Sequence, residues 1–269
     1  MRRSGATVLA LLLATGAVAQ DKKDGDKIGK DKAQAVLKKV LTENLKKKSA
    51  AISESAEMAT GPRKLTGTFD GVLRKDFAAV KGSAEIYAKG AVSLVNIGGR
   101  FDPPDDLQGQ DGAGAQGFKN PSLLIEEVGR VASPAQYGMD EVVEGKDCKS
   151  IDMAADPVLL RAQLKEFGER LNKTFKNQIG FGGAQVFDFK NMLDEKGSMA
   201  TYHVCVGKDD LMIYRIQYVI RPKIKPGSAP PMVRLPEDLD QKVDVKFSKW
   251  DEDVPFDIPG VVKTKLGVK

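Results

Sequence analysis

Histidine is almost missing from this chain of 269 residues: His203 stands alone, beside one tryptophan, two cysteines and five tyrosines. A Ser–His–Asp hydrolase needs its base on the same face as a nucleophile. His203 falls in a strand between Tyr202 and Val204, which point the other way, and no Gly-x-Ser-x-Gly elbow occurs. His203 therefore reads as a surface or half-buried structural residue. One histidine and two cysteines, with no Cys-x-x-Cys pair, do not make a zinc spacing, so no metal ligand is expected. Few aromatic platforms argue against a sugar site, although paired carboxylates from distant segments leave no trace in spacing.

Phosphate and calcium motifs are also lacking. Gly180-Phe-Gly-Gly183 follows a helical pattern rather than a strand and has no Gly-Lys-Ser/Thr ending, so its glycines serve a turn or bulge. Asp209-Asp210 and Asp251-Glu252-Asp253 lack the spacing of a calcium loop and read as acidic turns. No cofactor is expected.

Long apolar runs are confined to the start. Met1-Arg2-Arg3 is positive, Val8 to Ala14 is apolar, and Ala17-Val18-Ala19 fits the small-x-small pattern of a signal-peptidase cut. The run is too short for a permanent membrane helix, and no cysteine near the cut offers a lipid attachment point. Residues 1–19 are thus expected to be a signal peptide and the mature chain periplasmic or secreted, with no stable membrane anchor. The net charge of +5 falls to +3 once Arg2 and Arg3 leave, which removes most of the case for a nucleic-acid partner. Ten lysines lie between Lys22 and Lys48; they suit a charged tail over 20–30 followed by a solvated helix face.

From residue 31 the hydrophobic period decides the elements. Asp31 and Gln34 suggest a capping box, and Val36, Leu37, Val40, Leu41 and Leu45 recur at helical spacing, predicting a helix to about Ala59, before Gly61-Pro62. The period then drops to two. Strands are predicted over Leu65 to Leu73, Phe77 to Ala88 and Ala91 to Phe101, an antiparallel meander. A long loop over 102–119 leads to a short helix opened by Asn120-Pro121. A hairpin over 138–154 is followed by a helix opened by Asp156-Pro157 and running to about Phe175. Tyr202 to Val206 and Leu211 to Arg221 form a second hairpin. Five prolines between Pro222 and Pro236 make a connector, and Val243, Val245 and Phe247 mark a last strand. Such an order gives an α+β fold in which amphipathic helices cover one face of an antiparallel sheet.

Period-two spacing places Met212, Tyr214, Ile216 and Tyr218 on one side of the second hairpin, with Tyr202 and Val204 beside them. This face either fills the seam between sheet and helices or lines an apolar cavity under a curved sheet. Cys148 and Cys205 fall on the opposite parity. An even cysteine count in an exported chain suggests one disulfide, closing a loop of nearly sixty residues, about 4 kcal/mol in the chain-entropy model.

Gly145-Lys-Asp-Cys-Lys-Ser-Ile-Asp-Met153, then a helix, then Ala200-Thr-Tyr-His-Val-Cys-Val206 and Leu211-Met-Ile-Tyr-Arg-Ile-Gln-Tyr218 resemble the LolA/LppX-like superfamily of bacterial envelope proteins. The resemblance covers roughly 31–250 in element order. It implies a half-barrel, a curved antiparallel sheet with helices packed on its concave face, formed as a single domain over 31–269. It also implies carriage of acyl chains or lipoproteins. No catalytic residue comes with it. The expected function is a non-enzymatic carrier holding an apolar ligand, lipid or acylated lipoprotein between sheet and helices. The alternatives are an envelope scaffold of the same fold with a filled core, contacting a protein partner, and, least supported, a secreted hydrolase using acidic residues.

Overall fold

The computed structural model describes residues 29–60, 63–104, 115, 117–131, 134–178, 188–228 and 239–268. The expected signal peptide, the charged tail up to residue 28, the Gly180–Gly183 loop and most of the 102–119 loop and of the proline connector lie outside the described residues.

Helix α1 (Gly29–Asn44) buries Ala33, Leu37, Val40 and Leu41 on one stripe and exposes Lys32, Lys38 and Lys39. Gln34 does not close a capping box: its Oε1 accepts from the Ala135 N–H at 3.2 Å, tying α1 to the approach of a later strand. The helix ends fifteen residues before the expected stop. Strand β1 (Ala50–Thr60) takes its place. Its Ala, Glu and Met residues tolerate a helix, which is why the local pattern misleads. In the fold Ala50, Ile52, Glu54, Ala56 and Met58 are buried and Ser53 and Ser55 exposed, a period of two. Pairing with strands on both sides overrides the weak local preference.

The meander holds five strands rather than three: β2 (Arg63–Arg74), β3 (Phe77–Gly82), β4 (Glu85–Lys89), β5 (Val92–Ile97) and β6 (Arg100–Asp102). Turns at Ser83-Ala84 and Gly98-Gly99 divide what periodicity joins. Helix α2 (Pro121–Arg130) starts where expected, with the Asn120 carboxamide oxygen accepting from Ser122 N–H at 3.1 Å. Strands β7 (Gln136–Val143) and β8 (Lys146–Ala154) form the first hairpin. Helix α3 (Pro157–Gln178) is capped by Asp156, whose Oδ1 accepts from Val158 and Leu159 N–H. A short α4 (Phe189–Met192) precedes β9 (Leu193–Gly207), β10 (Ile213–Ile224) and β11 (Leu239–Ser248), and α5 (Gly260–Leu266) follows. Neither α4 nor α5 is expected from the sequence. Pro222 lies within β10 instead of opening the connector, at a register shift of the β9–β10 pairing, the kind of irregularity to which a strand proline is confined.

All eleven described strands join one antiparallel sheet in the order β6-β5-β4-β3-β2-β1-β11-β10-β9-β8-β7, so β1 and β11 meet in the middle. The sheet does not close; it is an open half-barrel with β6 and β7 as edges. Its inner face carries the main core. Leu37 and Val40 of α1, Leu124 and Val128 of α2, and Leu164, Phe167 and Leu171 of α3 pack with Phe69, Val80, Ile151, Tyr202, Ile216 and Phe247. The outer face is not bare. There Ile258, with Val262 and Leu266 of α5, covers Val72, Tyr87, Leu94 and Phe101 in a second core.

Gly71 of β2 sits opposite Val80, where an added Cβ would fall inside contact distance of the Ala79 carbonyl oxygen and the Val80 Cα. Because those atoms are backbone, the strand pair must move. Gly71→Ala is expected to cost about 1–3 kcal/mol, read as a lowered midpoint in thermal or urea unfolding. An unchanged midpoint would contradict the packing described.

Candidate functional site

Four of the six expected lining residues share the inner face. Tyr202 and Val204 of β9 and Ile216 and Tyr218 of β10 lie in the helix-covered core, each no more than 2% exposed. Met212 and Tyr214 do not join them. The β9–β10 register shifts between Ile213 and Arg215, so Ile213 turns inward and Met212 and Tyr214 turn to the other face. Two side chains hold this bulge: Asn44 at the end of α1 accepts from the Ile213 N–H at 3.1 Å, and the Trp250 indole donates to the Ile213 carbonyl at 2.9 Å. The extra residue reverses the parity on which the sequence reading depends.

Cys148 and Cys205 are buried beside Met212 and Tyr214, on the expected face and on adjacent strands, but both thiols are free. The disulfide expected from the sequence is not formed. Register accounts for this: Cys148 is paired with Gly207 and Cys205 with Ser150, so the thiols are diagonal rather than opposite neighbours. Burial, then the Glu141 carboxylate, holds the Cys205 thiol well above its ordinary pKa.

The inner face also holds polar groups that the sequence reading misses. Lys119, just before α2, is almost wholly buried, and its Nζ lies 2.7 Å from Glu127 Oε1 of α2. The same ammonium sits 4.4 Å above the Tyr218 ring. Glu127 Oε2 accepts from the Tyr202 hydroxyl at 2.8 Å, and Gln163 of α3 donates to both. Tyr202 and Tyr218 stand side by side, ring centroids 5.2 Å apart. Glu54 of β1 accepts from the Lys119 backbone N–H at 3.0 Å. Thus α2, α3 and the sheet meet through one buried polar chain within an apolar core.

That chain is not fully satisfied. Glu54 Oε2 and Gln163 Oε1 are buried with no hydrogen-bond partner. Burial raises the Glu54 pKa to about 8, against the smaller opposing effects of the Lys119 N–H and charge. The signal for Glu54 was in the sequence, a carboxylate in the alternation Ile52, Glu54, Ala56, but it was hidden by the helical reading of that segment. A cleft of about 250 Å³ lies at the edge of this core, between the end of α1, the β2–β3 turn and α2. Leu45, Leu73, Ile125 and Trp250 line it, with Lys47 and Glu126 at its polar side.

The state of Glu54 sets a pH dependence. Below about pH 4.5 the carboxyl is protonated both folded and unfolded; above that the unfolded chain ionises while the folded chain keeps its proton to about pH 8. Stability therefore falls as pH rises through this window, by on the order of 4–5 kcal/mol in total. Glu54→Gln cannot ionise. Its stability relative to the native chain is expected to be near zero at pH 4.5 and to grow steadily toward pH 8, measured by urea unfolding at each pH. A constant difference across the range would contradict the buried, neutral carboxyl.

No protein-family model and no curated protein matches this sequence. Among solved structures, the chain is similar to the lipoprotein LppX of Mycobacterium tuberculosis at 12% identity, over 84% of this chain and 99% of that one, with a TM-score of 0.42. LprF of Mycobacterium bovis is similar at 12% identity over 85% and 97%, TM-score 0.42. A LolA superfamily protein of Nitrosomonas europaea is similar at 10% identity over 83% and 94%, TM-score 0.26. The names LppX and LolA, to which the hairpin motifs bear a resemblance, both recur among these similar structures.

Proposed function

We propose that this is an exported carrier that takes the apolar part of a lipid, or the acyl chain of a lipoprotein, between α1–α3 and the inner face of the sheet. Lys119, Tyr202 and Gln163 then meet the polar end of that ligand. The observation that carries this reading is the incompletely satisfied polar chain set into the apolar seam. A core built only for stability gains nothing from a buried lysine and two orphaned oxygens, whereas a site for an amphiphile needs a few polar groups within an apolar lining.

The seam is closed in this state, so binding requires a helix to yield. Helix α2 is the smallest obstacle. It buries Leu124, Ile125 and Val128 as its apolar anchors, roughly 5–9 kcal/mol at 1.5–3 kcal/mol per side chain. A fourteen-carbon chain entering in its place brings about 11 kcal/mol at 0.8 kcal/mol per methylene. The two are of the same size, so exchange of helix for ligand is energetically open. The cleft beside Leu73 and Ile125 is where the seam reaches the surface.

The filled-core scaffold keeps one specific observation in its favour: Tyr202, Val204, Ile216 and Tyr218 already have almost no exposed surface. Native mass spectrometry after gentle purification separates the two. The carrier reading expects one co-purified lipid per chain, or uptake of a fluorescent fatty acid that weakens severalfold in Lys119→Met. No lipid and no uptake, together with a defined protein partner in cellular crosslinking, would favour the scaffold and sink the carrier.

A further inference from the structure

On the sheet face opposite the helix-covered core, β7 and β9 bring together three chemically different donors, with β8 between them. His203 lies between the inward-facing Tyr202 and Val204 and therefore points outward with Cys205. Its Nε2 is 2.6 Å from Glu141 Oε1 and 3.4 Å from Cys205 Sγ. Cys205 Sγ is 3.5 Å from the other Glu141 oxygen. Glu141 is two strands away; it reaches across β8 because Ser150, opposite Cys205, is small and turns its hydroxyl to the Met139 carbonyl at 2.7 Å. The second histidine nitrogen, Nδ1, lies 2.5 Å from Asp152 Oδ1. Arg215, opposite Cys205 on β10, engages Asp244 at 2.8 and 2.5 Å and places Nη1 3.5 Å from Glu141 Oε2.

A Cys–His–Asp line of this kind suggests a nucleophile, but the surroundings oppose it. The thiol is wholly buried, out of reach of a substrate carbonyl, and Glu141 occupies the nitrogen that would serve as base. The same atoms suit a cation. Glu141 Oε, His203 Nε2 and Cys205 Sγ all lie within 4.8 Å of one another. Bonds of about 2.0–2.3 Å in a tetrahedron put donors roughly 3.3–3.8 Å apart. Both sulfur distances already meet this; the Glu141–His203 distance lengthens as a cation replaces their hydrogen bond. Asp152 on Nδ1 is the carboxylate–histidine arrangement that orients a metal ligand, and Arg215 holds the Glu141 carboxylate. Thiolate and carboxylate together balance a divalent charge, with the thiol proton leaving to solvent.

We propose that Glu141, His203 and Cys205 bind one thiophilic divalent cation of the zinc type, with Asp152 positioning the histidine and the fourth position open to solvent. The donor set of one nitrogen, one sulfur and one oxygen selects such an ion over calcium or magnesium. This site is independent of the lipid reading, which concerns the other face.

The test uses the mature chain under reducing conditions, titrated with Zn²⁺ and, for its spectrum, with Co²⁺. The expected result is one ion per chain and a sulfur-to-cobalt charge-transfer band in the near ultraviolet. Cys205→Ser should abolish the band, His203→Ala should weaken Zn²⁺ affinity at least tenfold, and Asp152→Asn by about 10–100-fold. If Cys205→Ser fails to fold by circular dichroism, the His203 and Asp152 variants, altered at part-exposed and exposed side chains, decide. Less than a tenth of an equivalent bound, or Zn²⁺ affinity indifferent to His203→Ala, would overturn the site and leave a hydrogen-bonded charge cluster only.

Discussion

An open antiparallel sheet with one strongly apolar face cannot stand in water uncovered, and here that face is covered by α1, α2 and α3 rather than by a second sheet. The rest of the structure follows from this requirement. The caps at Asn120 and Asp156 start α2 and α3 in place, and Asn44 fastens the end of α1 to the first residue of β10. The outer face is served separately by α5, which covers the meander and leaves the β7–β10 region to a smaller cluster of its own. Two faces with different covers allow two unrelated chemistries on one sheet.

What the cover brings with it is as telling as its apolar stripe. Glu127 and Gln163 arrive from helices, Tyr202 and Glu54 from strands, and Lys119 from the loop before α2. Such a buried ion pair contributes little net stability, since desolvation consumes most of the attraction. Removing either partner would be costly, because a lone charge would remain. The arrangement therefore fixes where α2 and α3 sit without adding much to the depth of the energy well, which suits the lifting of the cover that the proposed carrier function requires.

Legibility in the sequence tracked how local each determinant was. The β7–β8 and β9–β10 hairpins, the Asn120-Pro121 and Asp156-Pro157 helix starts and the alternation from Ile216 onward in β10 and in β11 are local and were readable. β1 was not, because Ala50, Glu54, Ala56 and Met58 favour a helix in isolation and become a strand only between β2 and β11. The two misplaced lining residues, Met212 and Tyr214, fail for a non-local reason: the bulge at Ile213 depends on Asn44 and Trp250, distant in the chain. The outer cluster was beyond reach for the same cause. Cys205 and His203 are two residues apart, but their meaning depends on Glu141 and Asp152, which only strand order supplies.

The central claim is that the helices are a separable cover on a more stable sheet. Native-state amide hydrogen exchange, resolved by residue, tests it directly. The account expects α2 to exchange through local opening at a free energy well below that of β1, β10 and β11, and expects added lipid to change exchange in α2 and the neighbouring seam first. Helix and central-strand amides exchanging at one common global free energy, with lipid leaving all of them unaltered, would contradict it.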